Sequence, residues 1–212
     1  MDFDKTNFRL EIEVSFVRLS HYLEKMGEQL NALSVKEREQ ARIFSGRGYA
    51  LYQLATSGIY DHEFPNTLHY SYIVLLFITI EDCLKKTCDF LQLSNNLPLR
   101  AKDLRGDAIE RCMTFLDKLA GIPRSDFLYY PQVSDLSQIR HCIVHTSGHI
   151  EFSDTKKHLL ELVRKQPELL KLSDHENPED RVLIVEHAYC VLGTENARSF
   201  FKEILEKTEI AG

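Results

Sequence analysis

The chain has 212 residues, enough for one large domain or two small ones with a real core. Its apolar fraction of 43% and charged fraction of 27% are those of a soluble globular protein. A formal net charge of -6 excludes whole-surface attraction to nucleic acid, so any such binding needs a local basic patch. From Phe8 to about Ser57 the pattern predicts helix. Leu10, Val14, Val17, Leu19, Leu23, Met26 and Leu30 recur at short spacings with charges between them. Ser34, with Glu37 three residues later, reads as a capping box that opens a second helix, weakened at Gly46 and Gly48. "GIYDHEFPNT" reads as a loop, followed by a long helix from about Leu68 to Leu93. That helix is apolar on nearly all faces over "YIVLLFITI", Tyr72 to Ile80, which predicts neighbours all round it. The run is too short by itself to cross a bilayer and reads as a core helix.

"SNNLPLRAKDLRG" is the next loop and the most basic short segment, with Arg100, Lys102 and Arg105. Asp107 to Ala120 reads as a helix ended by Gly121 and Pro123. Ser134 or Asp135 is the predicted cap of a helix carrying "LSQIRHCIVH", ending at Gly148. "DTKKHLLELVRKQPELL" reads as one helical piece interrupted by Pro167. "RVLIVEHAYCVLG" predicts a short β element over 181–192, as a strand pair or a strand-to-helix entry. "TENARSFFKEILEK" closes the chain as an amphipathic helix with Thr194 as its cap. The expected fold is mainly all-α, in one domain spanning 1–212.

Five cysteines, an odd number with no CxxC pair, point to reduced thiols and a cytosolic setting. The acidic start, without an apolar core segment, predicts no signal peptide.

The most unusual stretch is "SQIRHCIVHTSGHI", Ser137 to Ile150. Three readings stand beside one another. His141, His145 and His149 recur every four residues, so on one unbroken helix they would share a face fit for a metal. Against this, Gly148 predicts the helix end before His149, no acid sits among the three, and Arg140 repels a cation. A second reading is structural, with each histidine bonded to a neighbour and the arginine paired to a carboxylate. The third is catalytic. Arginine supplies a permanent charge and a fork for phosphate oxygens, and histidine moves protons near neutrality. Five residues separate Arg140 from His145, about 500° of helix rotation or a net ~140°. The two can therefore share a phosphate only if the helix ends between them or a second copy brings its own site alongside. Ile139, Cys142, Ile143 and Val144 are the expected core-facing residues of this helix.

An all-helical chain with "IRHCIVHTSG" in its second half, a polar residue straight after the arginine, resembles the HEPN superfamily and its R-x4-6-H signature. "YIVLLFITIEDCLKKTCDFL" is similar to the superfamily's central helix. "LRGDAIERCMTFLDKLAGIP" before the motif and "LIVEHAYCVLG...FFKEIL" after it resemble uncharacterised bacterial members. The likeness covers roughly Leu68 to Glu206, giving a core over 67–208. The N-terminal helices of 1–66 would be an addition or would complete the bundle. The resemblance implies a helical bundle that dimerises with the motifs facing each other. It also implies a metal-independent endoribonuclease of toxin–antitoxin or phage-defence type, cytoplasmic and free of cofactor, metal and membrane. Its partners would be an RNA substrate, a second copy and an antitoxin or other regulatory protein. The resemblance maps Arg140 and His145 onto the motif's fixed residues and His141 onto its polar position, where Asn is commoner. The alternative it leaves open is a non-catalytic HEPN-like module for protein or nucleotide binding. Around the motif, Glu81 is a candidate to orient Arg140 or a histidine, Tyr130 to stack a base and Arg105 to contact RNA phosphate.

Overall fold

The computed structural model describes residues 5–43 and 63–208. The protein is mainly helical. Among the described residues six α-helices run in the order α1 (Lys5–Ile43), α2 (Phe64–Ser94), α3 (Ala108–Lys118), α4 (Tyr130–Thr146), α5 (Lys156–Lys165) and α6 (His187–Lys207). A two-stranded antiparallel ribbon joins β1 (Leu170–Leu172) to β2 (Leu183–Val185), with Leu170 opposite Val185.

α2 is the central element and packs against α1, α3, α4 and α6. It can do so because it buries two faces at once: Tyr72, Leu76, Ile80 and Leu84 are all at 0% exposure, as is Ile73 beside them. α1 buries a single stripe at helical spacing, Ile12, Phe16, Leu19 and Leu23, against α2 and α6. The N-terminal helix is thus a wall of the bundle and part of the same core. It runs unbroken through Ser34, so the expected capping box does not open a new helix there. Burial is not the reason, since Leu23 is the last buried apolar residue of α1 among the described side chains, and Leu33 and Val35 beside Ser34 are 45% and 55% exposed. The strong helix formers of "VKEREQAR" carry the helix on, with Lys25 and Glu28 paired on its exposed side. The expectations for 44–57, including a kink at Gly46 and Gly48, lie outside the described residues. α2 begins at Phe64, inside the expected loop, with Pro65 in its first turn, where a missing N–H costs nothing.

α4 also starts before its expected cap. Tyr130 opens it, Pro131 follows, and the free N–H groups of Leu128 and Tyr129 donate to the Glu203 carboxylate of α6 at 3.2 and 3.3 Å. A tertiary partner here replaces the local caps Ser134 and Asp135. α6 begins at His187, and Thr194 is not its cap. Thr194 sits inside the helix, buried, donating to Cys190 O at 2.9 Å and accepting from the Tyr72 hydroxyl at 2.6 Å. The β element near 181–192 holds one strand only, β2, whose partner lies upstream.

The free edge of β2 is covered by polar side chains from the first turns of α2. Asn66 Nδ2 donates to Leu183 O at 3.2 Å and Val185 N donates to Asn66 Oδ1 at 3.1 Å. Tyr70 Oη donates to Leu183 O, and His69 Nδ1 donates to Val185 O at 2.6 Å. These bonds satisfy an edge that would otherwise recruit another strand. They also fix the ribbon beside the C-terminal end of α4, where Leu183 N donates to Gly148 O at 2.9 Å.

Candidate functional site

α4 carries the arginine–histidine motif. Ile139, Cys142 and Ile143 face the core at 0%, 0% and 8% exposure and anchor the helix. Val144, expected inside with them, is 46% exposed: two positions after Cys142 along a helix, it lies about 160° away from that core-facing side. The helix is continuous from Arg140 through Thr146 and closes on Ser147 in the left-handed conformation, φ 53°. It does not end between Arg140 and His145.

Arg140 is half-buried and turned toward α2, its Cζ 5.6 Å from the centre of the Phe77 ring. Its Nε is buried with no hydrogen-bond partner, and no carboxylate pairs with the guanidinium among the described residues. A buried N–H without a partner is costly, and a cation–π contact returns only ~1–2 kcal/mol. An acceptor brought to Nε would satisfy it.

His141 is half-buried and His145 exposed, one turn apart with ring centres at 4.4 Å. Neither has a hydrogen bond or ion pair among the described residues. His149 stands apart from them. It lies beyond Gly148, its Nδ1 is 3.1 Å from Glu179 O, and its residue bridges Val182. The three histidines therefore do not form one metal-binding face.

The other expected site residues are elsewhere. Glu81 follows Phe77 by one turn of α2, yet its carboxylate is 3.6 Å from Lys85 Nζ and bonds neither Arg140 nor a histidine. Lys85, i+4 on the same helix, competes for it successfully. Tyr130 opens α4, ten residues or about 15 Å of helix from Arg140. It packs on Phe200 at 6.1 Å under the Arg124 guanidinium at 5.3 Å, and burial raises its phenol pKa. It is a packing residue, not a free stacking platform. Arg105 is exposed in the loop before α3, without a bond to α4 among the described residues.

Three residues with a bearing on this site escape a sequence reading. Phe77 holds Arg140, and Leu75 and Ile78 of α2 are 39% and 52% exposed. The all-round apolar run of α2 predicts neighbours on every side, but among the described residues this face is left partly open. Val144 of α4 is a further exposed apolar residue, four positions after Arg140.

No protein-family profile, curated protein or solved structure matches the chain. The reading of the site therefore rests on its own geometry and on the motif.

One helix, α2, has the length and mean hydropathy of a membrane span, with half of its apolar window buried inside the protein. The buried half is the bundle core described above.

Proposed function

We propose that the chain is a metal-independent endoribonuclease of the HEPN type, acting as a homodimer in a toxin–antitoxin or phage-defence setting in the cytoplasm. The observation that carries this reading is the unpaired Arg140 guanidinium beside an unpaired histidine pair. A structural arginine would be paired with a carboxylate, and structural histidines would be bonded to neighbours. These three are held in place by their helix and left chemically free, which is the state a site for a phosphodiester requires.

The unbroken helix keeps Arg140 and His145 on different stripes of α4. One chain alone therefore does not present both to one phosphate in line. A second copy, docked by the exposed Leu75, Ile78 and Val144, supplies the missing half. In the composite site an imidazole, His145 or its symmetry mate, takes the ribose 2′-hydroxyl proton. The 2′ oxygen attacks phosphorus, and the 5′ oxygen leaves with a proton returned by the opposing imidazole. Arg140 stabilises the charge that builds on the non-bridging oxygens, and His141, one turn below His145, is placed to hold the phosphate or the imidazole. The products are a 2′,3′-cyclic phosphate and a 5′-hydroxyl, with no metal in the balance.

The alternative, a non-catalytic HEPN-like module, expects Arg140 and His145 locked in internal hydrogen bonds, and neither is. The test is RNA cleavage in EDTA with product-end analysis. Wild type leaves cyclic phosphate ends, and Arg140→Ala and His145→Ala each abolish cutting with the fold intact by circular dichroism. RNA binding without cutting, or full cutting by both variants, refutes the proposal.

A further inference from the structure

A second pair of histidines, His69 and His187, lies away from α4. α1, α2 and α6 enclose a cavity of about 610 Å³ whose lining includes His69 and His187. None of Arg140, His141, His145 or Phe77 lines it.

His69 is 8% exposed and its tautomer is set by its surroundings. A carbonyl oxygen can only accept, so the contact of Nδ1 with Val185 O at 2.6 Å places the proton on Nδ1. Nε2 is then the lone-pair nitrogen, and it has no partner among the described residues. Burial, and then His187 nearby, lower the His69 pKa, which favours the uncharged ring. This is the state of a metal-ligating histidine, whose second nitrogen is characteristically held by a backbone carbonyl or carboxylate.

His187 is exposed, makes no hydrogen bond or ion pair among the described residues, and stands with its ring centre 5.8 Å from that of His69. Two imidazoles bound at ~2.1 Å to one tetrahedral ion place their ring centres roughly 5–6 Å apart. The pair is already at that separation.

Facing His187 across the cavity is Gly27 of α1. A Cβ there would lie 3.8 Å from His187 Cε1, so no side chain at 27 fills the gap. Glu24 and Glu28 flank that gap and line the same cavity. Their present partners are exposed and weak: Glu24 is 3.8 Å from His21, and Glu28 is 2.7 Å from Lys25. As the side chains stand, no three ligating groups converge among the described residues, so one of these carboxylates must swing inward to complete the set. The lining holds three carboxylates, Glu24, Glu28 and Glu195, against one guanidinium, Arg198, which is itself paired with Glu13. That balance favours a cation.

We propose that His69 Nε2, a nitrogen of His187 and a carboxylate of Glu24 or Glu28 bind one divalent first-row transition-metal ion of the Zn²⁺ class. Two imidazoles and a carboxylate suit zinc better than magnesium or calcium, which take oxygen-only sets. The ion would clamp α1 onto α2 and α6. This site is independent of the ribonuclease reading, which needs no metal.

The test uses the full chain, stripped with chelator and titrated with Zn²⁺ by calorimetry and equilibrium dialysis, with thermal unfolding alongside. His141 and His145 form a second, exposed histidine pair, so the titration is repeated in a His141→Ala/His145→Ala background. The expected result is one zinc per chain in both backgrounds and a rise in Tm with zinc. His187→Ala, at an exposed position that need not disturb folding, is expected to weaken binding at least 100-fold and remove the Tm rise. Glu24→Gln with Glu28→Gln should weaken it by a smaller factor. Absence of stoichiometric zinc overturns the proposal. So does zinc that is lost with His141 and His145, or that is indifferent to His187→Ala.

Discussion

Gly148→Ala tests how the motif helix is terminated. Gly148 has φ 85°, and Leu183 N donates to its carbonyl. A Cβ at this position would sit 2.6 Å from Tyr70 Cζ and 2.8 Å from Cε2, and nearer still to the hydroxyl. Tyr70 cannot step aside freely, because its hydroxyl donates to Leu183 O. Burial pushes the phenol pKa up to about 12, so it remains a donor across the accessible pH range. Two costs add. The left-handed backbone strains alanine by ~1 kcal/mol. Either the ring is overpacked or its buried bond to Leu183 O is broken, at ~2 kcal/mol. The sum is about 3 kcal/mol, a large share of a typical stability of ~5–15 kcal/mol. In urea, with a slope of ~2 kcal/mol per molar, the midpoint falls by about 1.5 M at unchanged slope. The decisive measurement is a double-mutant cycle with Tyr70→Ala. In that background only the backbone strain remains, so Gly148→Ala should cost ~1 kcal/mol, leaving a coupling of about 2 kcal/mol. Equal losses in both backgrounds would refute the role assigned to Tyr70, and no loss in either would refute the turn geometry itself.

Three further outcomes are expected. Arg140→Met removes a half-buried cation with an unpartnered Nε while keeping an apolar stem on Phe77, so the stability from urea unfolding should hold or rise, by up to ~1 kcal/mol. A loss above 1 kcal/mol would mean the guanidinium has a stabilising partner. Burial holds the folded pKa of His69 below the ordinary histidine value of about 6.5, so its stabilising contribution is complete above that pH. It is lost as pH falls from there through the folded pKa, because the unfolded chain binds the extra proton, with a slope of at most ~1.4 kcal/mol per pH unit. His69→Gln should flatten the stability profile between pH 7 and 5, and an unchanged profile contradicts the assignment. Leu75→Asp with Ile78→Asp places charge on the exposed apolar side of α2 and should convert a dimer to a monomer in sedimentation equilibrium, with cleavage lost in parallel. An unaltered mass removes that face from the interface.

The helices were legible where apolar spacing was local and unambiguous. The N-terminal segment was legible as helix but its core stripe only in part. Leu19 and Leu23 are buried as part of it, while Leu10 and Val17 are 58% and 50% exposed and Ile12 and Phe16 take the core face instead. α2 and α3 stand within a few residues of their expected bounds. Ends were less legible because distant residues cap them. Glu203 serves the start of α4, and α6 begins seven residues before Thr194 since that threonine is held inside by Tyr72. The strand partner of β2 could not be read from 181–192 because it lies in a segment whose own pattern, Leu170 to Leu172, is too short to announce a strand.

The motif itself was visible in the chain, but the feature that makes it chemically suggestive was not. Whether an arginine is paired is a property of what surrounds it in space, and here its neighbour is Phe77 of another helix rather than the expected Glu81. The same holds for the apolar run of α2, which sequence reads as surrounded and structure leaves bare at Leu75 and Ile78. Both departures bear on one physical demand. An unbroken helix sets Arg140 and His145 ~140° apart, so neither residue alone defines a place for a phosphate. The uncovered side chains of α2 and Val144 of α4 supply the surface on which a second copy could settle that offset. The ribonuclease reading and the apolar face therefore stand or fall on the same measurement of oligomeric state.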